Sequence, residues 1–519
     1  MVTQVLTATV IGLDVYKIDV EVDTNQSIPS VSIVGLPDTA ISEARERVRS
    51  AIKNSGYSFP NKKIIVNLAP ADVKKEGSNY DLPIAVGILA QDGTLNPENL
   101  KNTAFIGELS LDGSIRGVKG ILPIVSGLKD LSITEIIVPE ENAREAALIP
   151  GVIIYGANHL TQVVNHFSTD KEVYKKIEQV ESNIEAYLSC SNTANIQFDF
   201  KDVKGQQKAK KALEIAAAGG HNILMMGPPG SGKTLLSKCF ASILPPLCIE
   251  EAIELTKIYS VSGLLDSNQP LVTQRPFRSV HHTASAVGII GGGTNPKPGE
   301  ITLAHRGVLF LDEIVEFPRN TLEVLRQPIE DGEVVISRAQ TRVKFPADFT
   351  LLAAMNPCPC GYLGDYEKPC SCNDFQVSRY RSKLSGPLLD RIDIQIEVPR
   401  LKVNDLLNKN FVSESSSQIR ERVINARKMQ TERYKGSKIF TNSELTPDLI
   451  KKYCKIDSQS EELLKSAILR FNISGRAYDR LLKLARTISD LEMTADIQVS
   501  HIAQAIQYRN FVEPATVSS

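Results

Sequence analysis

The chain has 519 residues, with 59 Lys and Arg against 60 Asp and Glu, which gives a net charge of −1. A chain of this length is expected to form about three or four domains. Because the charges balance, bulk charge favours no particular partner, and any nucleic-acid surface has to be local. The sequence shows no apolar run long enough to cross a bilayer and no signal-peptide pattern at its start. We therefore expect a cytoplasmic protein without a membrane partner.

Short strand and helix patterns alternate over residues 1–167, which predicts a mixed α/β domain. Within it, ISEARERVRSAIKNSG at residues 41–56 predicts an amphipathic helix that ends at a glycine. The segment KIIVNLAP at residues 63–70 predicts a strand. The apolar face of the helix is formed by Ile41, Ala44, Val48, Ala51 and Ile52.

The rest of the chain divides by pattern into a linker and two further domains. Residues 168–197 are polar and lack a strong apolar face, which predicts a linker with room for one exposed helix. Residues 198–400 alternate strand and helix signals, as a parallel sheet requires. Residues 401–519 show helix periodicity until a C-terminal stretch that we expect to fray. The predicted fold class is therefore α/β, with a parallel sheet in the central domain and a helical domain after it.

A phosphate-binding loop is predicted at Gly227–Thr234, within NILMMGPPGSGKTLL. An apolar strand pattern precedes this Gly-x-x-x-x-Gly-Lys-Thr motif and a helix pattern follows it, which is the context that the motif needs. Its glycines let backbone N–H groups turn toward phosphate oxygens at the start of a helix. Lys233 is expected to reach the β- and γ-phosphates of ATP, and Thr234 to hold Mg²⁺.

The segment GVLFLDE supplies a second acidic element after an apolar strand pattern. Asp312 is expected to meet the Mg²⁺ ion through water, and Glu313 to polarise the water that attacks the γ-phosphate. An ordinary pair of acids at a strand end is the alternative. The position of the pair downstream of the phosphate loop favours the catalytic interpretation.

Three more polar residues follow in an informative order. Asn356 ends the strand pattern TLLAAMNP, where it can orient water beside the γ-phosphate. Arg391 lies in SGPLLDRIDI, where it can reach a neighbouring subunit's nucleotide. Arg476 begins a helix pattern in the last domain, where a cation can report the nucleotide state. Each residue by itself is weak evidence, because most arginines are surface charges.

Over residues 200–510, the order of these motifs resembles the AAA+ ATPases, with Walker A, Walker B, sensor 1, arginine finger and sensor 2 in turn. The resemblance implies catalytic roles for Lys233, Asp312, Glu313, Asn356, Arg391 and Arg476. It also makes Val203 and Gly205 plausible contacts to the adenine base. The remaining predicted nucleotide contacts are Gly227, Pro228, Pro229, Gly230, Ser231, Gly232, Thr234 and Leu235.

A glycine-rich insert lies between the phosphate loop and the acidic segment GVLFLDE. It reads RPFRSVHHTASAVGIIGGGTNPKPGE, at residues 275–300. Together with IVGLPDTAISEARERVRSAI and DVKKEGSNYDLPIAVGILA near the start, it resembles the ComM/YifB family of magnesium-chelatase-like AAA+ ATPases. Val280 stands where that family has a proline. The resemblance spans essentially the whole chain. It implies a homo-oligomeric ring, expected to be a hexamer, that acts as a DNA translocase or branch-migration helicase in recombination and natural transformation.

Two basic segments are candidates for contact with single-stranded or branched DNA, because a basic loop can follow a phosphate backbone without recognising its sequence. One is the insert, and the other is a predicted β-hairpin, EVVIS–RAQT–RVKF, at residues 333–345. Structural packing or subunit contact is the alternative for both. The candidate residues are Arg275, Arg278, His281, His282 and Lys297 in the insert, and Arg338, Arg342 and Lys344 in the hairpin.

Four cysteines fall in one short segment, NPCPCGYLGDYEKPCSCND. Thiols clustered this way in a reducing compartment fit a structural Cys₄ zinc site, although Cys-x-Cys is a less usual spacing than Cys-x₂-Cys. Four free thiols are the alternative. The candidate ligands are Cys358, Cys360, Cys370 and Cys372.

The N-terminal region resembles the Lon-protease-like domain on the ribosomal S5 domain 2-type fold, a family that uses a Ser-Lys dyad. Here Ser78 stands one position early, Asn79 occupies the place of the serine, and Lys119 is roughly in register. We therefore expect no proteolysis, because the lysine must lie close to the serine to activate it. A magnesium-chelatase motor subunit, a protein remodeller, a Lon-like protease and a non-enzymatic scaffold remain as alternative functions, and recombination proteins are expected partners.

Overall fold

A computed structural model describes residues 2–170, 172–191, 197–266, 268–293, 296–337, 342–401, 413–437, 439–471 and 474–509. The chain divides into two compact units. The first contains residues 1–191 and 248–273, and the second contains residues 192–247 and 274–519. In the described ranges, no helix is both long enough and apolar enough to cross a membrane.

The first unit is built on a seven-stranded mixed sheet, in the order β3-β4-β2-β1-β5-β8-β9. Strands β1, β2 and β4 pair antiparallel, and the other neighbours in the sheet pair parallel. Strands β6 and β7 form a separate short hairpin. The strands are β1 (Thr3–Ile11), β2 (Asp14–Asn25), β3 (Ser30–Val34), β4 (Lys63–Ala69), β5 (Thr103–Phe105), β6 (Glu108–Leu109), β7 (Ile115–Arg116), β8 (Glu135–Pro139) and β9 (Ile153–Ala157).

Helices cover this sheet with the apolar faces that the sequence predicts. The five predicted core residues of the first helix are all buried, which confirms the predicted face. The Asp38 side chain accepts a hydrogen bond from the backbone N–H of Ile41 at 2.8 Å and caps that helix. The helices are α1 (Thr39–Asn54), α2 (Asp81–Gln91), α3 (Ile121–Asp130), α4 (Glu140–Ala146), α5 (Leu160–Phe167) and α6 (Ile184–Ser191), with a 3₁₀ turn at Pro97–Leu100.

Helix α9 (Ile249–Ser262) also belongs to the first unit, although its sequence lies within the segment predicted to form the central domain. The backbone N–H of Gly120 donates to the carbonyl of Ser260 at 3.2 Å. The Lys257 ammonium donates to the hydroxyl of Ser126 at 2.7 Å. The described division therefore differs from the predicted one, because residues 248–273 leave the central domain to pack on α3.

The second unit contains a five-stranded sheet in the order β11-β14-β17-β10-β18, and every pair in it is parallel. The three central strands of this sheet are short, apolar and almost wholly buried, as expected when helices cover both faces of a parallel sheet. Two small hairpins stand apart from it, β12–β13 and β15–β16. The strands are β10 (Ile223–Met226), β11 (Phe277–Val280), β12 (Gly291–Gly292), β13 (Lys297–Pro298), β14 (Val308–Leu311), β15 (Glu333–Ser337), β16 (Arg342–Pro346), β17 (Thr350–Met355) and β18 (Ile394–Glu397).

The C-terminal part of this unit is helical, as its sequence periodicity predicts. Its longest described helix is Ser416–Arg433, which Ser415 caps with Gln418 in a capping box. The helices of the unit are α7 (Gln207–Gly219), α8 (Lys233–Ile243), α10 (Ala286–Ile290), α11 (Glu300–Leu303), α12 (Arg319–Glu323), α13 (Arg326–Asp331), α14 (Asp374–Arg381), α15 (Gly386–Leu389), α16 (Ser416–Arg433), α17 (Pro447–Tyr453), α18 (Ser458–Phe471), α19 (Gly475–Leu491) and α20 (Val499–Gln507). Short 3₁₀ turns occur at Phe200–Asp202, Ile314–Glu316 and Asn442–Glu444.

Asp393 joins the helical region to the sheet through a buried ion pair. One of its carboxylate oxygens lies 2.5 Å from the Arg480 guanidinium on α19. The other accepts the backbone N–H of Asn222, which directly precedes β10, at 3.1 Å. Burial by itself would raise the pKa of Asp393, but Arg480 and His221 outweigh it and hold that pKa well below its ordinary value.

We predict that Asp393→Asn destabilises this unit by about 3–5 kcal/mol, because removing one member of a buried pair leaves Arg480 without its countercharge. Chemical denaturation monitored within the unit measures the loss. A depressed carboxyl pKa stabilises the fold above about pH 4 and ceases to do so as the pH falls, so the difference from wild type should shrink in acid. Asp390→Asn is the matched control, since Asp390 forms a more exposed pair with Arg509 at 3.6 Å and should cost under about 1 kcal/mol. Equal losses in both variants would contradict the assignment.

Candidate functional site

The loop between β10 and α8 forms a phosphate cradle, as the motif predicts. Gly230 and Gly232 adopt φ values of 77° and 92°, a left-handed conformation that side-chain-bearing residues seldom adopt. These turns lead directly into the first turn of α8, whose N-terminal N–H groups and dipole favour a bound anion. The cradle therefore has the backbone conformation and the field that a polyphosphate requires.

Lys233 begins α8 and points back into the cradle. Its ammonium donates to the carbonyls of Gly227 at 2.7 Å and Pro228 at 3.0 Å. It also lies 3.4 Å from the side-chain oxygen of Asn356. Burial lowers the pKa of Lys233 to about 8, and the nearby Asp312 and Glu313 offset part of that effect. Lys233 is thus a partly desolvated cation held at the predicted phosphate position.

Acidic residues lie opposite the cradle, at the end of β14. The Thr234 hydroxyl donates to the Asp312 carboxylate at 2.9 Å. Glu313 follows with a φ of 50°, which turns the chain away from the strand. A hydroxyl and a carboxylate at this separation are oxygen donors of the kind that Mg²⁺ prefers. The structure therefore brings the two predicted Mg²⁺ ligands together.

Asn356 completes this group from the adjacent strand, β17. It directly follows Met355, the last residue of the strand, and its side chain faces Lys233. A cavity of about 380 Å³ opens between these elements. The lining residues are Pro229, Gly230, Ser231, Gly232, Lys233, Thr234, Leu235, Asp312, Glu313, Met355 and Asn356.

The predicted adenine-side segment lies beside the cradle. Val203 is buried and Gly205 has a φ of 56°. The next residue, Gln206, donates its side-chain amide to the carbonyls of Pro399 at 2.6 Å and Ser231 at 3.4 Å. Gln206 thus joins this segment to the phosphate loop, a role that no motif in the sequence indicated.

The two insert histidines lie next to the acidic pair. Strands β11 and β14 pair in register, with Val280 opposite Leu311, so the residues that follow the two strands are neighbours. The rings of His281 and His282 lie 4.1 Å apart, and the His282 Nδ1 lies 4.0 Å from a Glu313 carboxylate oxygen. His282 was predicted as a DNA contact, and the structure places it within reach of the candidate catalytic acid.

Arg391 and Arg476 do not line the described cavity. Both instead approach the carboxylate of Glu330 on α13. Arg391 is buried and donates to Glu330, whereas Arg476 is exposed with its guanidinium 3.8 Å from the other Glu330 oxygen. Glu330 lies in no recognisable motif, so the sequence gave no signal for this shared contact.

The basic residues predicted to meet DNA fall into two groups. Arg275 donates to the carbonyls of Pro245 and Arg306, at 2.8 and 2.7 Å, and Arg278 forms an ion pair with Glu300 at 2.7 Å, so both serve the fold of their own unit. The second group lies on hairpins. Lys297 is exposed on β12–β13, and exposed Arg342 and Lys344 lie on β15–β16, where Lys344 contacts Glu333 at 3.0 Å. The predicted hairpin is confirmed, while Arg338 lies outside the described residues.

The four clustered cysteines converge in space. Their sulfur atoms all lie within 4.8 Å of one another. The Cys358 sulfur is 3.4 Å from that of Cys360 and 3.6 Å from that of Cys370. None of the four forms a disulfide. The structure thus creates a compact set of sulfur donors from residues that are up to 14 positions apart in the sequence.

Family models and related proteins match most of the chain. The family model for magnesium chelatase, subunit ChlI, matches residues 199–406, and the model for the ChlI C-terminal region matches residues 413–509. A further model, for subunit ChlI of Mg-chelatase, matches residues 20–142. The competence protein ComM of Haemophilus influenzae is 43% identical over 504 residues, covering 96% of each chain. The YifB protein of Escherichia coli K12 is 43% identical over 510 residues, covering 97% of this chain and 96% of that protein.

The chain belongs to the ComM/YifB family. As a member of this family it has a magnesium-chelatase-like AAA+ motor region, which accounts for the phosphate cradle, the acidic strand end and Asn356 at one edge of one sheet. More partial similarity connects it with two other proteins. The magnesium-chelatase 38 kDa subunit of Cereibacter sphaeroides is 24% identical over 31% of this chain, and Lon protease 2 of Bacillus subtilis is 30% identical over 39% of it.

In this ComM/YifB family member, the two residues nearest the Lon-like dyad pattern make other contacts in the first unit. The Ser78 hydroxyl donates to the Glu108 carboxylate. Lys119 lies elsewhere in the first unit, near Gly263 and in the lining of a cavity of about 210 Å³ that excludes Ser78. A serine needs a base within hydrogen-bond reach to act as a nucleophile, and the partner that the structure gives Ser78 is a carboxylate.

We predict that ATP affinity falls as the pH rises from 7 to 9. The Lys233 pKa of about 8 means that its charged form, which attracts phosphate, is lost across this range. Bound nucleotide restores the charge, so binding should take up a proton near pH 8. Titration calorimetry with a non-hydrolysable ATP analogue, in two buffers of different ionisation enthalpy, measures both effects. An affinity that stays constant from pH 7 to 9 with no proton uptake would contradict the assigned role of Lys233.

Proposed function

We propose that this protein is a ring-forming ATPase that moves along or remodels DNA at the expense of ATP hydrolysis. One observation carries the catalytic part of the proposal: Thr234 and Asp312 contact each other at 2.9 Å inside a cavity that Lys233, Glu313 and Asn356 also line. ATP and Mg²⁺ are the ligands that suit this set of groups. Thr234 and Asp312 would hold the Mg²⁺, which supplies charge neutralisation at the phosphates when it is bound.

Each remaining residue of the cavity has a distinct task in this proposal. Lys233 exchanges its contacts with the loop carbonyls for contacts with phosphate oxygens. Glu313 polarises the attacking water. His282 lies close enough to Glu313 to bind its carboxylate in an inactive arrangement of the site. Asn356 positions that water relative to the phosphate. The side chains needed to bind ATP and to activate water are therefore supplied by one unit of the chain.

We infer that the active form is a homo-oligomer, and the family resemblance favours a hexameric ring. Arg391 lies outside the cavity of its own chain and is held by Glu330. A role at the nucleotide therefore requires Arg391 of another copy of the chain, released from its Glu330 contact. Arg476, bound to the same carboxylate, is suited to sensing whether that contact has been released.

DNA is the proposed substrate on which the motor acts. The exposed basic residues on two hairpins, Lys297, Arg342 and Lys344, are the described side chains best suited to follow a phosphate backbone. The name of the Haemophilus relative links that protein to competence, and the family resemblance extends the proposal to branch migration in recombination and natural transformation. Single-stranded or branched DNA is therefore the expected activator, and recombination proteins are the expected partners.

We predict that DNA stimulates ATP hydrolysis and that Glu313→Gln abolishes it while leaving ATP binding intact, because only the group that activates water has been lost. Steady-state ATPase assays with single-stranded, duplex and branched DNA test this. Glu316→Gln is a matched control, since Glu316 is an acid three residues on that does not line the cavity. Hydrolysis that no DNA stimulates would overturn the translocase proposal and leave the ATPase intact. Equal loss in both variants would overturn the role of Glu313.

We further predict that Arg391→Ala and Glu313→Gln chains, each inactive alone, regain activity when coexpressed. In a mixed ring, some interfaces pair an intact Glu313 with an intact Arg391 from the neighbour. ATPase activity of mixed rings purified through two different tags measures the recovery, and Arg379→Ala controls for the loss of an exposed arginine on α14. If mixing restores nothing, Arg391 does not act on a neighbouring site.

A magnesium-chelatase motor subunit is the second candidate, supported by the family models that match residues 20–142, 199–406 and 413–509. The ATPase measurement separates the two, because a chelatase motor or a protein remodeller has no reason to respond to DNA. Proteolysis is disfavoured by the Ser78–Glu108 contact. If the protein digested casein and Ser78→Ala abolished that digestion, the protease interpretation would be supported instead.

A further inference from the structure

The loop that follows Asn356 contains a set of sulfur donors with the dimensions of a metal site. A tetrahedral Zn²⁺ with Zn–S distances near 2.3 Å requires sulfur atoms about 3.8 Å apart. The sulfur atoms of Cys358, Cys360 and Cys370 are separated by 3.4, 3.5 and 3.6 Å, and all four sulfurs fall within 4.8 Å of one another. Four sulfur atoms gathered this closely form a donor set of the size that a single metal ion takes.

The surroundings of the sulfurs also suit bound thiolates. The backbone N–H of Cys360 donates to the Cys372 sulfur at 3.4 Å, and the N–H of Cys372 donates to the Cys370 sulfur at 3.4 Å. Such hydrogen bonds stabilise sulfur that carries negative charge beside a metal. Outside the cluster, Arg400 fixes the intervening loop through Asp365 at 3.2 Å and Glu367 at 2.9 Å. The donor set is all sulfur, and among divalent ions it favours Zn²⁺ over Mg²⁺ or Ca²⁺.

This loop is tied to the nucleotide cavity at two points. Cys358 is fully buried and stands two residues after Asn356, with the Pro357 carbonyl held by the Arg381 guanidinium at 3.3 Å. Gly361 packs against the phosphate loop so closely that a Cβ there would lie 2.8 Å from the Pro229 ring. Any displacement of the cysteine loop would therefore move Asn356 and the wall of the phosphate cradle.

We propose that Cys358, Cys360, Cys370 and Cys372 bind one Zn²⁺ per chain, and that this ion holds Asn356 and the phosphate loop in the geometry for hydrolysis. Binding releases the thiol protons to solvent and involves no redox step. The metal assignment rests only on the sulfur cluster, whereas its effect on catalysis rests on the ATPase function proposed above. In this account the zinc site is a positioning device, and Asn356 is the group through which it acts.

The metal assignment is tested on the full-length chain purified without a metal-affinity step. Elemental analysis is expected to give about one zinc per chain, with a large loss in Cys372→Ser and in Cys360→Ser. Cys248→Ser is the matched control, because Cys248 is an exposed cysteine outside the cluster, and it should retain the full zinc content. Chelation followed by Co²⁺ should give the visible absorption of tetrahedral cobalt–thiolate coordination. Wild-type protein without metal, or with iron and inorganic sulfide in place of zinc, would overturn the assignment.

The catalytic effect is tested on wild-type protein stripped of zinc and then reloaded, so that no variant has to fold. We expect kcat to fall by about tenfold on stripping and to recover on reloading, while the KM for ATP changes by less than about threefold. In Asn356→Ala protein, stripping should cost far less, because the positioned group is already missing. An unchanged kcat after stripping, or an equal loss in both backgrounds, would overturn the positioning role.

These readouts keep the two proposals apart. Zinc bound stoichiometrically to a chain that hydrolyses no ATP would overturn the proposed function and support the metal site. An active ATPase that contains no zinc would overturn the metal site and leave the proposed ATPase function standing. Zinc-dependent hydrolysis that no DNA stimulates would support the inference and overturn only the choice of DNA as substrate.

Discussion

The candidate site depends on the parallel pairing of three buried strands. Strands β14, β17 and β10 lie side by side with the same polarity, so the residues that follow them must emerge at one edge of the sheet. Asp312, Asn356 and the phosphate loop meet there although more than 120 residues separate the loop from Asn356. Because each strand is almost wholly buried, its register is specified by the core rather than by the site. The polar groups inherit their positions from apolar packing.

Charged groups are buried at both ends of these strands, and the structure compensates for their lost solvation in different ways. Lys233 gives up solvent for two backbone carbonyls and the nearby acids, which leaves its pKa depressed and its contacts ready to be exchanged for phosphate. Asp393, at the opposite end of the strands, is fully paired with Arg480 and the backbone N–H of Asn222. One buried charge is thus suited to binding a ligand, and the other to holding helix α19 on the sheet.

Several contacts join the predicted site residues to elements outside the motifs. Glu330 contacts both Arg391 and Arg476. If a second copy of the chain bound Arg391, Glu330 would be left with Arg476 alone. His282 lies near Glu313 because β11 pairs in register with β14. The cysteine loop touches both Asn356 and Pro229. Each of these contacts joins an element outside the motifs to a residue within them.

The sequence by itself determined the phosphate loop, the acidic strand end, Asn356, the hairpin at residues 333–345 and the apolar face of α1, because each depends on local pattern and spacing. Only the tertiary structure decided which distant groups meet. It moved α9 from its expected domain onto α3, showed that Arg275 and Arg278 are engaged within their own unit, and assigned contacts to Gln206, Glu330 and Asp393. These outcomes depend on packing between segments far apart in the chain. Such packing leaves no periodic signal, because the partners of a side chain are set by the fold and not by its neighbours in sequence.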